Sequence, residues 1–213
     1  MTDLLLARHG NTFDPGQPAL RVGARTDLPL VAEGRAQAAR LAEALAAEGL
    51  RPARIVAGPL ARTRQFAAIL ADRLGGTIIL DDRLRELDYG TWEGLTDAEI
   101  TARHGRDALG AWERRLEWPA AAGWGEGEAA VLSRIGAFLD EAADAPSPTL
   151  AVTSNGILRL VRRLIEGSPT AGEGKVRTGA LCRLRRTGGG WHIAAWDERL
   201  PATGSAPTGV PST

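Results

Sequence analysis

The 213-residue sequence is poor in the residues from which redox and metal centres are built, with one cysteine, Cys182, and three histidines, His9, His104 and His192. A single thiol cannot close an internal disulfide, which fits a reducing cytoplasm. Three histidines this far apart give no zinc-ligand spacing, so no metal site is expected. Charge of one sign is not in excess either: 26 Lys plus Arg balance 26 Asp plus Glu. No overall field therefore draws the chain to nucleic acid or to an acidic membrane, and any anion site must be local. The first apolar run, Leu4 to Ala7, stops at Arg8, too soon for a signal peptide or a spanning helix, and a cytoplasmic location is expected. No internal repeat and no heptad pattern is present.

An apolar fraction of 44% is ordinary for a globular protein. The length suits one core, since single cores grow to about 250 residues before splitting. We expect residues 1–200 to form one domain and the Pro-, Gly-, Ser- and Thr-rich residues 201–213 to form a disordered tail. Runs of strand length and composition occur at Leu4 to Ala7, Arg54 to Ala57, Thr77 to Leu80, Leu150 to Thr153, Ala180 to Leu184 and Trp191 to Trp196. Helical spacing of apolar residues appears over 32–48, 60–74, 128–143 and 156–166. Strands alternating with helices predict a three-layer α/β/α sandwich around a mostly parallel, doubly wound sheet. Residues 90–127 break this rhythm and read as an insertion folded over the site. Its tryptophans, Trp92, Trp112, Trp118 and Trp124, are expected to form a small core.

Ligands of open α/β sheets bind at the carboxyl ends of strands, so the residues just after each run matter most. Arg8-His9-Gly10-Asn11-Thr12 follows the first run and sets a guanidinium beside an imidazole, with a glycine that admits close backbone approach. A neutral imidazole attacks phosphorus once the phosphate charge is neutralised. After the second run, Gly58-Pro59-Leu60-Ala61-Arg62 opens a helix whose first turn favours anions, and Arg62 is placed to complete a clamp. The carboxylate-rich stretch Leu84 to Gly94, with Glu86, Asp88 and Glu93, offers an acid for a leaving alkoxide. Arg-His-Gly recurs at Arg103 to Gly105, where His104 reads as a solvated helix end; His192 reads as a structural histidine of a C-terminal strand. Gly172-Glu173-Gly174-Lys175 is no nucleotide loop, because Pro169 stands where the first glycine is needed and Val176 where Ser or Thr is.

These blocks resemble the histidine phosphatase superfamily, in its phosphoglycerate mutase-like branch, from about Leu4 to about Arg159. The likeness rests on Leu6-Ala7-Arg8-His9-Gly10-Asn11-Thr12, on Asp27-Leu28-Pro29-Leu30 with Gly34 and Gln37-Ala38, on Leu60 to Gln65, and on Leu84-Arg85-Glu86 leading to Trp92-Glu93-Gly94. It implies a phosphohistidine at His9, phosphoryl contacts from Arg8 and Arg62, Glu86 as general acid, and no metal or organic cofactor. Asn11, Thr12, Arg21, Ser154 and Asn155 are the expected phosphate- or substrate-binding residues.

The resemblance breaks at one point. The family carries a second histidine after the fourth strand, in a Ser-His-Gly-x-x-x-Arg-like context, where this chain has Thr153-Ser154-Asn155-Gly156-Ile157-Leu158-Arg159. Anchoring on Arg159 puts Ser154 at the missing histidine, and sliding by one puts Asn155 there. Either side chain can donate a hydrogen bond but carries no charge, and either can cap the following helix. Asn11, where the family often has glutamate or glutamine, and Phe66 are expected to alter the pocket lining. Three readings follow: a phosphatase of a small phosphomonoester, slowed by the lost imidazole; a phosphate-binding or regulatory protein without turnover; and a phosphoglycerate mutase. The partner expected is a small phosphorylated molecule, not nucleic acid or membrane, and a homodimer is left open.

Overall fold

The computed structural model describes residues 2–167 and 174–200. In chain order the elements are β1 (Thr2–Arg8), α1 (Ala32–Ala47), β2 (Arg54–Ala57), α2 (Ala61–Leu74), β3 (Ile78–Leu80), α3 (Asp97–His104), α4 (Arg106–Arg115), α5 (Glu128–Asp144), β4 (Thr149–Thr153), α6 (Asn155–Glu166), β5 (Leu181–Thr187) and β6 (Gly190–Glu198). One six-stranded sheet has the order β3-β2-β4-β1-β5-β6. β1 and β2 each pair in parallel with β4, and β3 pairs in parallel with β2. β5 runs antiparallel to β1, and β6 antiparallel to β5. The expected sheet is therefore present, and its C-terminal hairpin supplies the one reversed strand, β5.

Successive residues of β1 serve both faces, as a period of two requires. Leu4 and Leu6 join one core cluster with Ile135 and Phe138 of α5 and Ile157 and Leu160 of α6. Leu5 and Ala7 join the other, with Leu41 and Leu45 of α1 and Phe66 and Leu70 of α2. A strand covered on both sides must be apolar throughout, which is why β1 reads as a continuous run. Phe66, Leu70, Leu6 and Phe138 are all fully buried, each contributing about 1.5–3 kcal/mol of transfer free energy. Phe66 thus lies in the core beneath α2 and does not alter the pocket lining as expected.

Residues 90–127 hold two helices that the periodicity of the sequence did not reveal, α3 and α4. α3 opens on a capping box: Thr96 Oγ1 accepts the Glu99 N–H at 3.2 Å while Glu99 Oε2 accepts the Thr96 N–H at 2.8 Å. The tryptophans pack edge to face as expected, with Trp124 4.7 Å from both Trp112 and Trp118 and 5.4 Å from Trp92. His104 does end α3, with Nε2 3.2 Å from Thr91 Oγ1. His192 is exposed on β6, so the structural role expected of it is not seen. The tail from Pro201, and Pro169, Gly172 and Glu173, lie outside the described residues. Among those described, no helix is long and apolar enough to cross a membrane.

Candidate active site

β1 and β4 are neighbours, yet α1 leaves β1 toward one face of the sheet while α6 leaves β4 toward the other. The chain parts at their carboxyl ends and opens a crevice there. The resulting cleft has a volume of about 450 Å³, and its lining includes Arg8, His9, Asn11, Thr12, Arg21, Arg62, Glu86 and Asn155. Eight of the nine side chains singled out from the sequence thus converge. The exception is Ser154, whose Oγ is buried without a partner and does not line the cleft.

His9 is held from two sides. Its backbone N–H donates to the Thr153 carbonyl at 3.0 Å, tying the end of β1 to the end of β4. Its ring Nδ1 lies 2.7 Å from the Gly10 carbonyl oxygen. A carbonyl only accepts, so Nδ1 carries the proton and the lone pair of the neutral ring sits on Nε2. Burial, reinforced by Arg62 and Arg8, holds this imidazole well below its ordinary pKa, so the ring is neutral at pH 7. The backbone can turn this tightly because Gly10 lies against Gly34: a Cβ on Gly10 would meet the Gly34 carbonyl oxygen at 2.3 Å. Asn11 fixes the next step, its N–H donating to Gln37 Oε1 at 2.8 Å and its Oδ1 accepting from Gln37 Nε2 at 3.2 Å and from Thr178.

The two guanidinium groups are anchored by carbonyls rather than by carboxylates. Arg62 donates to the Thr26 and Gly23 carbonyls at 2.8 and 3.1 Å, which uses two of its five N–H bonds. Arg8 donates to the Val176 carbonyl, and its Nε is buried with no partner. Burial lowers the pKa of both arginines, and Glu86 opposes it in both. The first turn of α2 is already occupied: Asp27 Oδ1 accepts the Ala61 N–H at 2.6 Å. The expected anion at this helix end is therefore the protein's own carboxylate, and α2 contributes Arg62 alone.

Glu86 is only 4% exposed and accepts two backbone N–H bonds, from Leu87 at 3.0 Å and from Gly156 at 3.1 Å. The second lies in the first turn of α6, so Glu86 caps that helix. Ser154, at the N-cap, makes no side-chain cap bond. A Cβ on Gly156 would meet Glu86 Oε1 at 2.4 Å and the Tyr89 hydroxyl at 2.6 Å; only glycine leaves room. The other carboxylates of this stretch are structural: Asp88 pairs with Arg25 at 2.9 Å, and Glu93 Oε2 accepts the Thr26 hydroxyl at 2.7 Å.

Asn155 Oδ1 accepts the Val176 N–H at 2.9 Å, which fixes the amide so that Nδ2 is the outward donor. Nδ2 has no hydrogen-bond partner among the described residues, and Asn155 lines the cleft.

The lining residues that sequence reasoning missed include Tyr89, Asp97, Glu113 and Lys175. Tyr89 lies inside a stretch read for its carboxylates only; burial, then Glu86, pushes its phenol well above its usual pKa. Nothing in the local sequence marks Glu113, and Lys175 stands out only within the rejected nucleotide-loop motif. Among the described residues, no cluster of His, Cys, Asp or Glu is placed to hold a metal ion.

The family model described as "Histidine phosphatase superfamily (branch 1)" matches residues 4–199. A probable phosphoglycerate mutase, GpmB, of Enterobacter sp. (strain 638) is 42% identical over 104 residues, a match covering 46% of each chain. The glucosyl-3-phosphoglycerate phosphatase of Mycobacterium tuberculosis (strain ATCC 25618 / H37Rv) is 33% identical over 183 residues, 79% of this chain and 77% of that one. The structure of a mycobacterial glucosyl-3-phosphoglycerate phosphatase with inorganic phosphate superimposes with a TM-score of 0.78 at 26% identity, covering 93% of this chain and 98% of that one. A match that runs from the first strand to the end of the last one leaves one conclusion: the chain belongs to the histidine phosphatase superfamily, branch 1.

Proposed function

We propose that this protein is a phosphomonoesterase that hydrolyses a small phosphorylated substrate through a phosphohistidine at His9. One observation carries the reading: the Gly10 carbonyl takes the Nδ1 proton of a buried, neutral imidazole, which leaves the Nε2 lone pair for a cleft that two guanidinium groups line. Donors without protein acceptors support it. Arg8 Nε, three N–H bonds of Arg62 and Asn155 Nδ2 find none among the described residues, and a tetrahedral oxyanion would satisfy them.

In the first step the Nε2 lone pair bonds to phosphorus as the phosphorus–oxygen bond to the alcohol breaks, and the departing alkoxide takes a proton from Glu86. In the second, water attacks phosphorus as the phosphorus–nitrogen bond breaks, and its proton returns to Glu86. Arg8 and Arg62 compensate the charge of the phosphoryl oxygens in both steps, in a site where burial strengthens each contact. Asn155 adds a neutral donor.

That neutrality also favours a second reading, a phosphate-binding protein without turnover. The mutase reading drawn from the sequence is shared by the names of several relatives, probable phosphoglycerate mutases, and it would need the phosphohistidine kept from water. An aryl phosphate assay beside His9→Ala separates them. Wild-type hydrolysis that the variant loses, with acid-labile phosphate trapped on the protein, supports the enzyme. Phosphate binding with no turnover in either protein supports the binder, and transfer between phosphoglycerates the mutase.

A further inference from the structure

The cleft has two ends of different electrical character. At the strand end Arg8 and Arg62 face one carboxylate, Glu86. At the outer end two lining cations, Arg21 and Lys175, face two carboxylates, Asp97 and Glu113, and Arg159 stands behind with Nη1 3.9 Å from Glu113 Oε2. Arg21 Nη2 is 2.8 Å from Asp97 Oδ1 and 3.0 Å from Glu113 Oε1. Lys175 Nζ is 2.7 Å from Glu113 Oε2. Burial alone would raise the Glu113 carboxyl, but Arg21 and Lys175 outweigh it and hold the pKa below the usual range. Glu113 is therefore ionised at pH 7, and both outer cations are already matched. The backbone behind it is fixed, since Arg159 Nη2 donates to the Trp112 and Glu113 carbonyls at 3.0 and 2.8 Å. Phe13 and Leu20 add apolar surface to the same cleft.

We infer that the alcohol carried by the substrate phosphate is uncharged and hydroxylated, a polyol or sugar rather than a carboxylate-bearing or doubly phosphorylated one, and that Glu113 sets this preference. The inference rests on the phosphatase reading and goes further by naming the substrate class. A second anionic group would either meet the Asp97 and Glu113 carboxylates or have to displace Glu113 from Arg21 and Lys175, leaving it only the longer 3.9 Å pairing with Arg159. Hydroxyl groups donate to the carboxylate oxygens and accept from Lys175 with every pair intact, and the carbon skeleton rests on Phe13 and Leu20. The phosphate end keeps its excess of positive charge for the one anion it must hold.

Glycerol 3-phosphate and 3-phosphoglycerate test this cleanly, because they differ only in a hydroxymethyl group against a carboxylate. The ratio of their kcat/KM values is measured, with phenyl phosphate as the reference ester. The wild type is expected to favour glycerol 3-phosphate by about tenfold or more. Glu113→Gln frees Arg21 and Lys175 and moves the ratio toward 3-phosphoglycerate. Lys175→Gln, at an exposed position, moves it the other way. A wild type that prefers 3-phosphoglycerate, or a ratio that neither substitution shifts, overturns the inference while phenyl phosphate turnover leaves the phosphatase reading standing. Should Glu113→Gln not fold, the wild-type ratio and Lys175→Gln decide. Absence of phenyl phosphate turnover overturns the phosphatase reading, and this inference with it.

Discussion

Asn155→Asp is the sharpest perturbation available at the cleft, because it changes one atom's chemistry and almost nothing else. The retained Oδ1 still accepts the Val176 N–H, at 2.9 Å in the native protein, so segment 174–178 keeps its anchor. Asn155 is the first residue of α6, where a carboxylate gains about 0.3–1 kcal/mol from the helix dipole. Stability should therefore hold or rise slightly. Activity should not. On the proposed function, losing the Asn155 donor to the phosphoryl group costs about 3 kcal/mol, and a carboxylate some 5 Å from a phosphate would add roughly 3 kcal/mol of repulsion at an effective dielectric of ~20. Together these predict a fall in kcat/KM of about 10³-fold or more for aryl phosphate. Asn155→Ala, which removes the donor without adding charge, should lose about 100-fold. Assays at saturating and limiting substrate, with melting curves on the same samples, decide it. An Asn155→Asp protein that melts normally and keeps kcat/KM within tenfold of wild type would refute the donor role.

Gly156→Ala should push Glu86 and Tyr89 aside, since the new methyl would lie 2.4 Å from one and 2.6 Å from the other. We expect about 1–3 kcal/mol of destabilisation by denaturant titration and a loss of turnover larger for alkyl than for aryl phosphates, whose leaving groups need less acid. The depressed pKa of His9 predicts that kcat/KM stays flat from about pH 8 down through the ordinary imidazole range near 6.5 and falls only below it. For stability the sign is the same: below about pH 6.5 the unfolded chain takes up a proton that the folded ring refuses, so stability falls with pH until the folded pKa is passed. An acidic limb centred near 6.5 would count against the buried neutral ring. Trp112→Ala, at a fully buried position contacting Trp118 and Trp124, should cost about 3–5 kcal/mol in chemical denaturation.

The sheet and its four crossover helices were legible because burial on both faces leaves unbroken apolar runs such as Leu4 to Ala7, and because α1 and α2 show clear apolar stripes. α3 and α4 were not, since each buries little: Ile100 alone in α3, Gly110 and Trp112 in α4. The readable signal there was chemical, Thr96 followed three residues later by Glu99. At the cleft, Arg8, His9, Arg62 and Glu86 were legible because they follow strands or sit in recognisable blocks. The choice between Ser154 and Asn155 could not be read, because it depends on how the chain turns from β4 into α6. Nor could the Arg21–Glu113–Lys175 group, whose members come together only through the packing of α4 over the cleft.

Val176 gives its amide to Asn155 and takes a guanidinium from Arg8, while its neighbour Lys175 reaches out to Glu113. The backbone of this one residue thus yokes Arg8 and Asn155 to the far wall of the cleft. A substrate long enough to tug on Lys175 pulls on that yoke, so the distal half of a good substrate should speed the chemical step as well as tighten the grip. Truncated esters would then be slow even when saturating.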